Sequence, residues 1–264
     1  MSRRPFLAVA VFSLVALGGL IYLAYRETRP RDESKPRALV VYCAAALKPA
    51  MQATAEEYQH ETGTPIEFRF GNSEQILAQA SIGGEGDVFL PADDSYVRVA
   101  TSSGIATESF PLARMRAVVL VRPGNPRGIA KLDDLLQKDL RLGQANPDAA
   151  AIGKVTREHL QKTGRWNPLH ANTLVYHTTV TDAANAVQIG SNDAAIVWDA
   201  VAANYPALTV AKLPELAGAI GNVELAILKS CADPEAARRL VQFVRSDRGQ
   251  QAFRAAGFTD LISP

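Results

Sequence analysis

Apolar positions recur along this chain at two spacings, and the alternation between them sets out strands that are each followed by a helix. Residues 39–42 form a continuous apolar run, the pattern of a strand covered on both faces. Leu47, Met51, Ala55 and Tyr58 then follow at helical spacing, and Gly63 with Pro65 ends the helix. Ile66, Phe68 and Phe70 alternate with Glu67 and Arg69 as in a half-buried strand, and Gly71-Asn72-Ser73 turns into a helix carrying Ile76, Leu77 and Ala80. After glycines at 83, 84 and 86 come a short buried strand over 87–90 and a helix from Ser95. This βαβαβα order predicts a mostly parallel sheet.

A strand over 115–121 ends at Pro123-Gly124-Asn125-Pro126, and the alternation starts again. The second series is a helix around 132–138, a strand over 141–145, a helix over 152–163, a strand over 173–177, a helix over 181–190 and a strand over 193–198. A strand over 221–228 and a helical stretch over 234–256, broken at Arg248-Gly249, complete the pattern. The turns that lead into helices are small or polar: 43–46, 71–73, 146–153 and 178–181. At the first of them Pro49 sits in the opening helical turn, where its missing amide costs nothing, and small side chains leave the backbone N–H groups reachable. Helix N-termini of this kind favour an anionic guest.

The N-terminus breaks the pattern. Arg3-Arg4 precede 5–25, a stretch without a charged residue that would span about 30 Å as a helix. It predicts a membrane-inserting segment, an uncleaved anchor or a cleaved export signal. The length of the run and the lack of a small-x-small cleavage site favour the anchor. Either outcome places the rest of the chain outside the cytoplasm, on the periplasmic side. Residues 29–37, rich in charge and proline, read as a solvated linker.

Composition removes several function classes. The 264 residues are 47% hydrophobic with a net charge of +1 and no basic stripe, which gives no reason to invoke nucleic acid. His60, His159, His170 and His177 are scattered without metal-ligand spacing, and the glycines at 83–86 lack the Lys-Ser/Thr of a phosphate-binding loop, so no metal or cofactor is expected. Asp87, Asp93 and Asp94 have no partner acid or nucleophile in the pattern, and no enzyme activity is expected. Cys43 and Cys231 match no metal motif, and whether they pair is open from sequence.

Several stretches together resemble the periplasmic molybdate/tungstate-binding proteins of ABC importers. Val41-Tyr42-Cys43-Ala44-Ala45-Ala46-Leu47 is similar to that family's first strand and AAASL turn, and Phe70-Gly71-Asn72-Ser73 to its F-G-S-S turn. Gly86-Asp87-Val88-Phe89-Leu90-Pro91-Ala92-Asp93 resembles A-D-V-F-I-S-A-D. Asn146-Pro147 through Gly153 and Glu158-His159-Leu160 resembles D-P-x-x-V-P-A-G with A-x-E-x-L, and Ser246-Asp247-Arg248-Gly249-Gln250-Gln251-Ala252-Phe253 with Gly257-Phe258 resembles the family's C-terminal motif. The resemblance implies an α/β, two-lobed periplasmic-binding-protein-like fold with the ligand cleft between the lobes, here preceded by an N-terminal transmembrane helix. Residues 1–37 would be anchor and linker, 38–120 plus 221–264 the first lobe, and 121–220 the second.

The same resemblance implies a monomer that binds an oxyanion, molybdate or tungstate in the lead, and hands it to an importer permease. Its oxyanion contacts fall on Ala46, Ser73, Ile152, Val180 and Trp198. Ala46 stands where the family has serine and Trp198 where it has tyrosine, so two hydroxyl donors are altered. Hydrogen bonds to a charged group are worth about 1.5–3 kcal/mol each, and such losses would need other donors to offset them. Asp199, beside Trp198, would repel an anion if it pointed inward, and Ser73 has a plain alternative role as a helix cap. The alternative function is a tethered sensor or interaction module of the same fold, bound to a different small molecule.

Overall fold

In the computed structural model, which describes residues 36–262, the opening apolar run forms β1 (Leu39–Ala44). β1 lies between β2 (Ile66–Gly71) and β3 (Val88–Leu90), parallel to both. Helices α1 (Lys48–Thr62), α2 (Ser73–Ile82) and α3 (Asp94–Ser102) follow these strands in turn. α1 is entered through a single 3-10 turn (Ala45–Leu47), and it stops at Gly63, whose φ of +72° suits a residue without a Cβ. A second parallel triplet repeats the plan, with β5 (Leu142–Ala145) between β6 (Thr173–His177) and β7 (Ala194–Trp198). Its helices are α4 (Ala151–Gln161), α5 (Trp166–Asn172), α6 (Val180–Gln188) and the short α7 (Asp199–Ala202).

The sheet is mixed rather than mostly parallel. Between the triplets lie two long strands, β4 (Ala106–Val121) and β9 (Ile220–Leu228), paired antiparallel, and the order across the sheet is β2-β1-β3-β9-β4-β7-β5-β6. β4 serves both sides: from Ala106 to Arg116 it pairs with β9, and from Ala117 to Val121 with β7. Its start lies at Ala106 instead of the expected 115. Pro111 lacks an amide for the ladder, and register shifts at Ala106/Glu108 and Pro111/Ala113 interrupt the alternation that would mark a strand. β8 (Thr209–Ala211) and β10 (Asp260–Leu261), which the pattern did not announce, add to the flanks of β4.

Two helical expectations also change. The helix around 132–138 is a 3-10 turn (Leu132–Leu136). The C-terminal helix divides into α8 (Pro234–Arg245) and α9 (Asp247–Ala255) at Ser246 rather than at Arg248-Gly249. Ser246 is extended, with ψ 167°, and its hydroxyl accepts from the Gly249 amide at 3.4 Å as the cap of α9. Gly249 is a packing glycine, since a Cβ there would lie 2.3 Å from the Val244 carbonyl oxygen.

Two carboxylates brace the strands. Asp87 is fully buried before β3, where Oδ2 accepts from the Val40 amide at 2.8 Å and Oδ1 pairs with Arg37 at 3.1 Å. Asp193, before β7, accepts from the Arg141 amide, Nε and Nη2 at 3.1, 3.1 and 2.7 Å and from Arg122 Nη1 at 3.3 Å. The Arg141 hydrogen bonds hold its carboxyl down at about 2. A depressed carboxyl stabilises the fold above its unfolded value, near 4, and that stability drains away as pH falls towards 2. Asp193→Asn is therefore expected to lose about 2 kcal/mol at pH 7 and less than about 0.5 kcal/mol at pH 2. Urea unfolding of both proteins across that range checks it, and a loss independent of pH would refute the assignment.

Both cysteines are free thiols. Burial pushes the Cys43 thiol up, and burial with the nearby Asp87 carboxylate pushes Cys231 up to about 11, so both stay protonated at neutral pH. The membrane segment expected over 5–25 lies outside the described residues; among the described residues no helix is long and apolar enough to cross a membrane.

Candidate functional site

Four helical turns begin around one small pocket: the 3-10 turn after β1, α2 after β2, α4 after the β5 turn and α6 after β6. The pocket is narrow, with a cavity volume of about 20 Å³, and Ala46, Ser73, Ile152, Val180 and Trp198 all line it. Ala46 and Ile152 are the second residues of their turns and Ser73 and Val180 the first of theirs. At such positions the amide has no acceptor within its own helix. Trp198 ends β7 and is wholly buried.

Two of these N-termini also lack a cap. No side chain accepts from the first amides of the 3-10 turn or of α4, which start after Ala44 and Ala150. Ala46, Ala150, Ala151 and Ile152 are nonetheless buried. A buried helix start without a cap calls for a partner from elsewhere, and an anion in the pocket is the partner these amides suit. α4 comes this close because of Gly153, where a Cβ would stand 2.4 Å from the Ala145 carbonyl oxygen and 2.8 Å from Pro147. Gly153→Ala is expected to push α4 outward and lower affinity for the pocket's guest about tenfold or more, with a stability loss of about 1–3 kcal/mol. Titration beside thermal unfolding separates the two effects, and unchanged affinity would count against the α4 amides as donors.

The other two starts are capped, but by neighbours of the pocket positions. Asn72 is the cap of α2, taking the Gln75 amide at 2.8 Å, which corrects the capping role considered for Ser73. The Ser73 hydroxyl instead accepts from the Ala92 amide at 3.2 Å, and its own proton remains to donate. Thr179 and Asp182 form a capping box on α6, with Asp182 N–H to Thr179 Oγ1 at 3.1 Å and Thr179 N–H to Asp182 Oδ2 at 3.0 Å. Neither cap uses the Ser73 or Val180 amide.

No charged side chain lines the pocket. Its polarity comes from helix N-termini, which carry partial positive charge, and from the Ser73 hydroxyl. The side-chain oxygens of Asn72 and Thr179 are already accepting. This is a donor-rich, acceptor-poor enclosure, suited to a fully ionised anion and ill suited to one that must donate a proton. Asp199 does not point inward: its Oδ1 accepts from the Arg116 and Ala200 amides at 3.0 and 2.9 Å, and it lines a separate cleft with Arg116 and Lys212. Nor do Asp87, Asp93 and Asp94 line the pocket. Asp93 caps α3 through the Ser95 amide, with burial pushing its carboxyl up, and Asp94 pairs with Arg98.

Contacts tie the pocket's walls together. The Glu74 amide donates to the Ala149 carbonyl at 3.0 Å, Asn72 Nδ2 to the Thr178 carbonyl at 3.3 Å, and Lys154 Nζ to Ser95 Oγ at 2.9 Å. Sequence reasoning missed Asn72, Ala92, Thr179 and Gly221. The Thr-x-x-Asp capping box and the asparagine before a helix were legible signals. Gly221 carried none: it lies under the Trp198 ring, where a Cβ would be 2.8 Å from Cη2 and 2.9 Å from the Ala92 carbonyl oxygen.

A mixed α/β sheet with helix N-termini gathered on a small pocket without charged side chains is the build of a solute-binding protein. The chain belongs to the bacterial extracellular solute-binding protein family, whose model matches residues 39–259. It is 28% identical over 225 residues to the molybdate-binding protein ModA of Mycobacterium tuberculosis, covering 84% of each chain. Its fold is similar to that of the periplasmic molybdate-binding protein of Azotobacter vinelandii, with a TM-score of 0.74 and 22% identity over 84% of this chain and 98% of the other. It is also similar to the periplasmic binding protein AfuA of Actinobacillus pleuropneumoniae, solved with fructose-6-phosphate, with a TM-score of 0.74 and 16% identity over 86% and 85% of the two chains.

Proposed function

We propose that this protein captures an oxyanion outside the cytoplasm, between two lobes, for delivery to the permease of an ABC importer. The lobes would be 38–120 plus 221–264 and 121–220, with closure about the β4 and β9 crossings. Molybdate and tungstate are the leading guests. Ala46, Ile152 and Val180 would donate their amides, Ser73 its amide and hydroxyl, and Trp198 would close the floor of the pocket. The observation that carries this reading is the pair of buried, uncapped helical starts at Ala45–Leu47 and Ala151–Gln161 facing a pocket without charged side chains. The 28% identity to a molybdate-binding protein supports the choice of guest.

The loss of a hydroxyl at Ala46 is offset in this reading by amides from four helical turns. Thermal unfolding of the full-length protein with molybdate, tungstate, sulfate and phosphate tests it. A guest at about 1,000 times its dissociation constant adds about 4 kcal/mol to native stability and raises the midpoint visibly. We expect the rise with molybdate and tungstate. No rise with any of the anions would overturn the assignment.

A further inference from the structure

The inner pocket opens into a larger cleft, and the two share Ala45, Ala46, Gly71 and Thr179 in their walls. This outer cleft has a volume of about 520 Å³, far more than a bare oxyanion needs, and its lining mixes Phe70, Val201 and Tyr205 with Lys48, Gln75 and Asp182. Such a mixture, apolar and aromatic with a few polar groups, characterises sites for small organic molecules.

The polar groups of the cleft are not equally available. Asp182 is occupied by the Thr179 amide and hydroxyl at 3.0 and 2.8 Å. The Tyr205 hydroxyl donates to Asn185 Oδ1 at 2.7 Å, and Asn204 Nδ2 donates to the Ala200 and Ala256 carbonyls at 2.9 and 3.1 Å. Lys48 differs. Its Nζ sits 5.2 Å from the centre of the Phe70 ring, and among the described residues it pairs with no carboxylate. A cation held over an aromatic face in the wall of the cleft presents a positive site there, apart from the helix starts of the adjoining pocket.

Resting on the reading of the inner pocket given above, we propose that the outer cleft is a second subsite, and that the protein takes a small organic acid whose oxyanion head enters the inner pocket. The body of that ligand lies against Phe70 and Tyr205, and a carboxylate on it pairs with Lys48. A phosphate monoester carboxylate has this chemistry: its phosphate group is a proton-free dianion above neutral pH, as the donor-rich inner pocket requires, and its carboxylate meets the lysine. Lys48 would then be the residue that separates organic from inorganic oxyanions.

Calorimetric titration of the full-length protein at pH 8 tests this with phosphoglycolate and 3-phosphoglycerate, which carry carboxylates at two distances from the phosphate, against ethyl phosphate and molybdate. The better carboxylate ester is expected to bind at least tenfold tighter than ethyl phosphate. Lys48→Gln is expected to erase that gap and leave the molybdate affinity within twofold. Phe70→Ala should weaken both esters and again spare molybdate. Molybdate binding with no binding of either carboxylate ester, or an ester preference untouched by Lys48→Gln, would overturn the subsite while leaving the inner pocket assigned. Failure of every anion, molybdate included, would overturn the inner-pocket reading and this one with it.

Discussion

Replacing Ser73 by aspartate is expected to abolish oxyanion binding while the protein stays folded. Ser73 is the first residue of α2 and is buried against the pocket. A carboxylate suits a helix N-terminus, and it would accept the Ala92 amide that the serine hydroxyl now accepts at 3.2 Å. The same negative charge would occupy the enclosure meant for the anion, compete for its N–H donors and repel it through a medium with little water. A loss of at least a hundredfold, about 2.7 kcal/mol, is expected in a molybdate titration. Ser73→Ala should cost less, about 1.5 kcal/mol, the lower end for one hydrogen bond to a charged group. Wild-type affinity in Ser73→Asp, with an unchanged unfolding midpoint, would remove Ser73 from the site.

The second large effect lies at the other end of β1. Asp87→Ala would leave the Val40 amide without its 2.8 Å acceptor and Arg37 without its partner. Removing one member of a buried pair costs about 3–5 kcal/mol, and the lower end applies here because the Arg37 side chain is 33% exposed and can turn to water. The expected result is an unfolding free energy lowered by about 3 kcal/mol, read in urea as a lower midpoint with an unchanged slope. Asp87→Asn should recover part of the loss, since its carbonyl still accepts from Val40. Affinity for the guest should hardly move, because Asp87 braces the strand roots and the pocket gathers at their C-terminal ends. A loss below about 1 kcal/mol would show that Arg37 and Val40 are equally well served by water.

Much of this architecture was written in local pattern. The apolar run of β1, the alternation in β2 and the glycine that ends α1 depend on neighbours a few residues apart, so they read correctly from the chain alone. The centre of the sheet did not, because β4 takes its identity from distant partners: Phe110 pairs with Leu225 and Val119 with Ile196. Pro111 and two register shifts disguise it further. The five site positions were reached through resemblance to a family, and the fold brings all of them to one pocket. Their physical logic was only half visible. A missing cap at Ala44 or Ala150 means nothing until the helix start is known to be buried, and burial is a property of the whole fold. The orientation of Asp199 was equally hidden, since it is decided by the Arg116 amide 83 residues away in sequence.

The place of β9 between β3 and β4 bears on how the protein is made. β3 pairs with it at Val88↔Ile227, so a strand completed early must wait for one made well over a hundred residues later. Until then β3 and the first part of β4 present unpaired edges, which are open to mispairing and to capture by holding chaperones. The seam that joins the early and late segments has high contact order, which slows folding. A truncation that ends before Ile220 should therefore aggregate during synthesis, although every residue that lines the small pocket is already present in it.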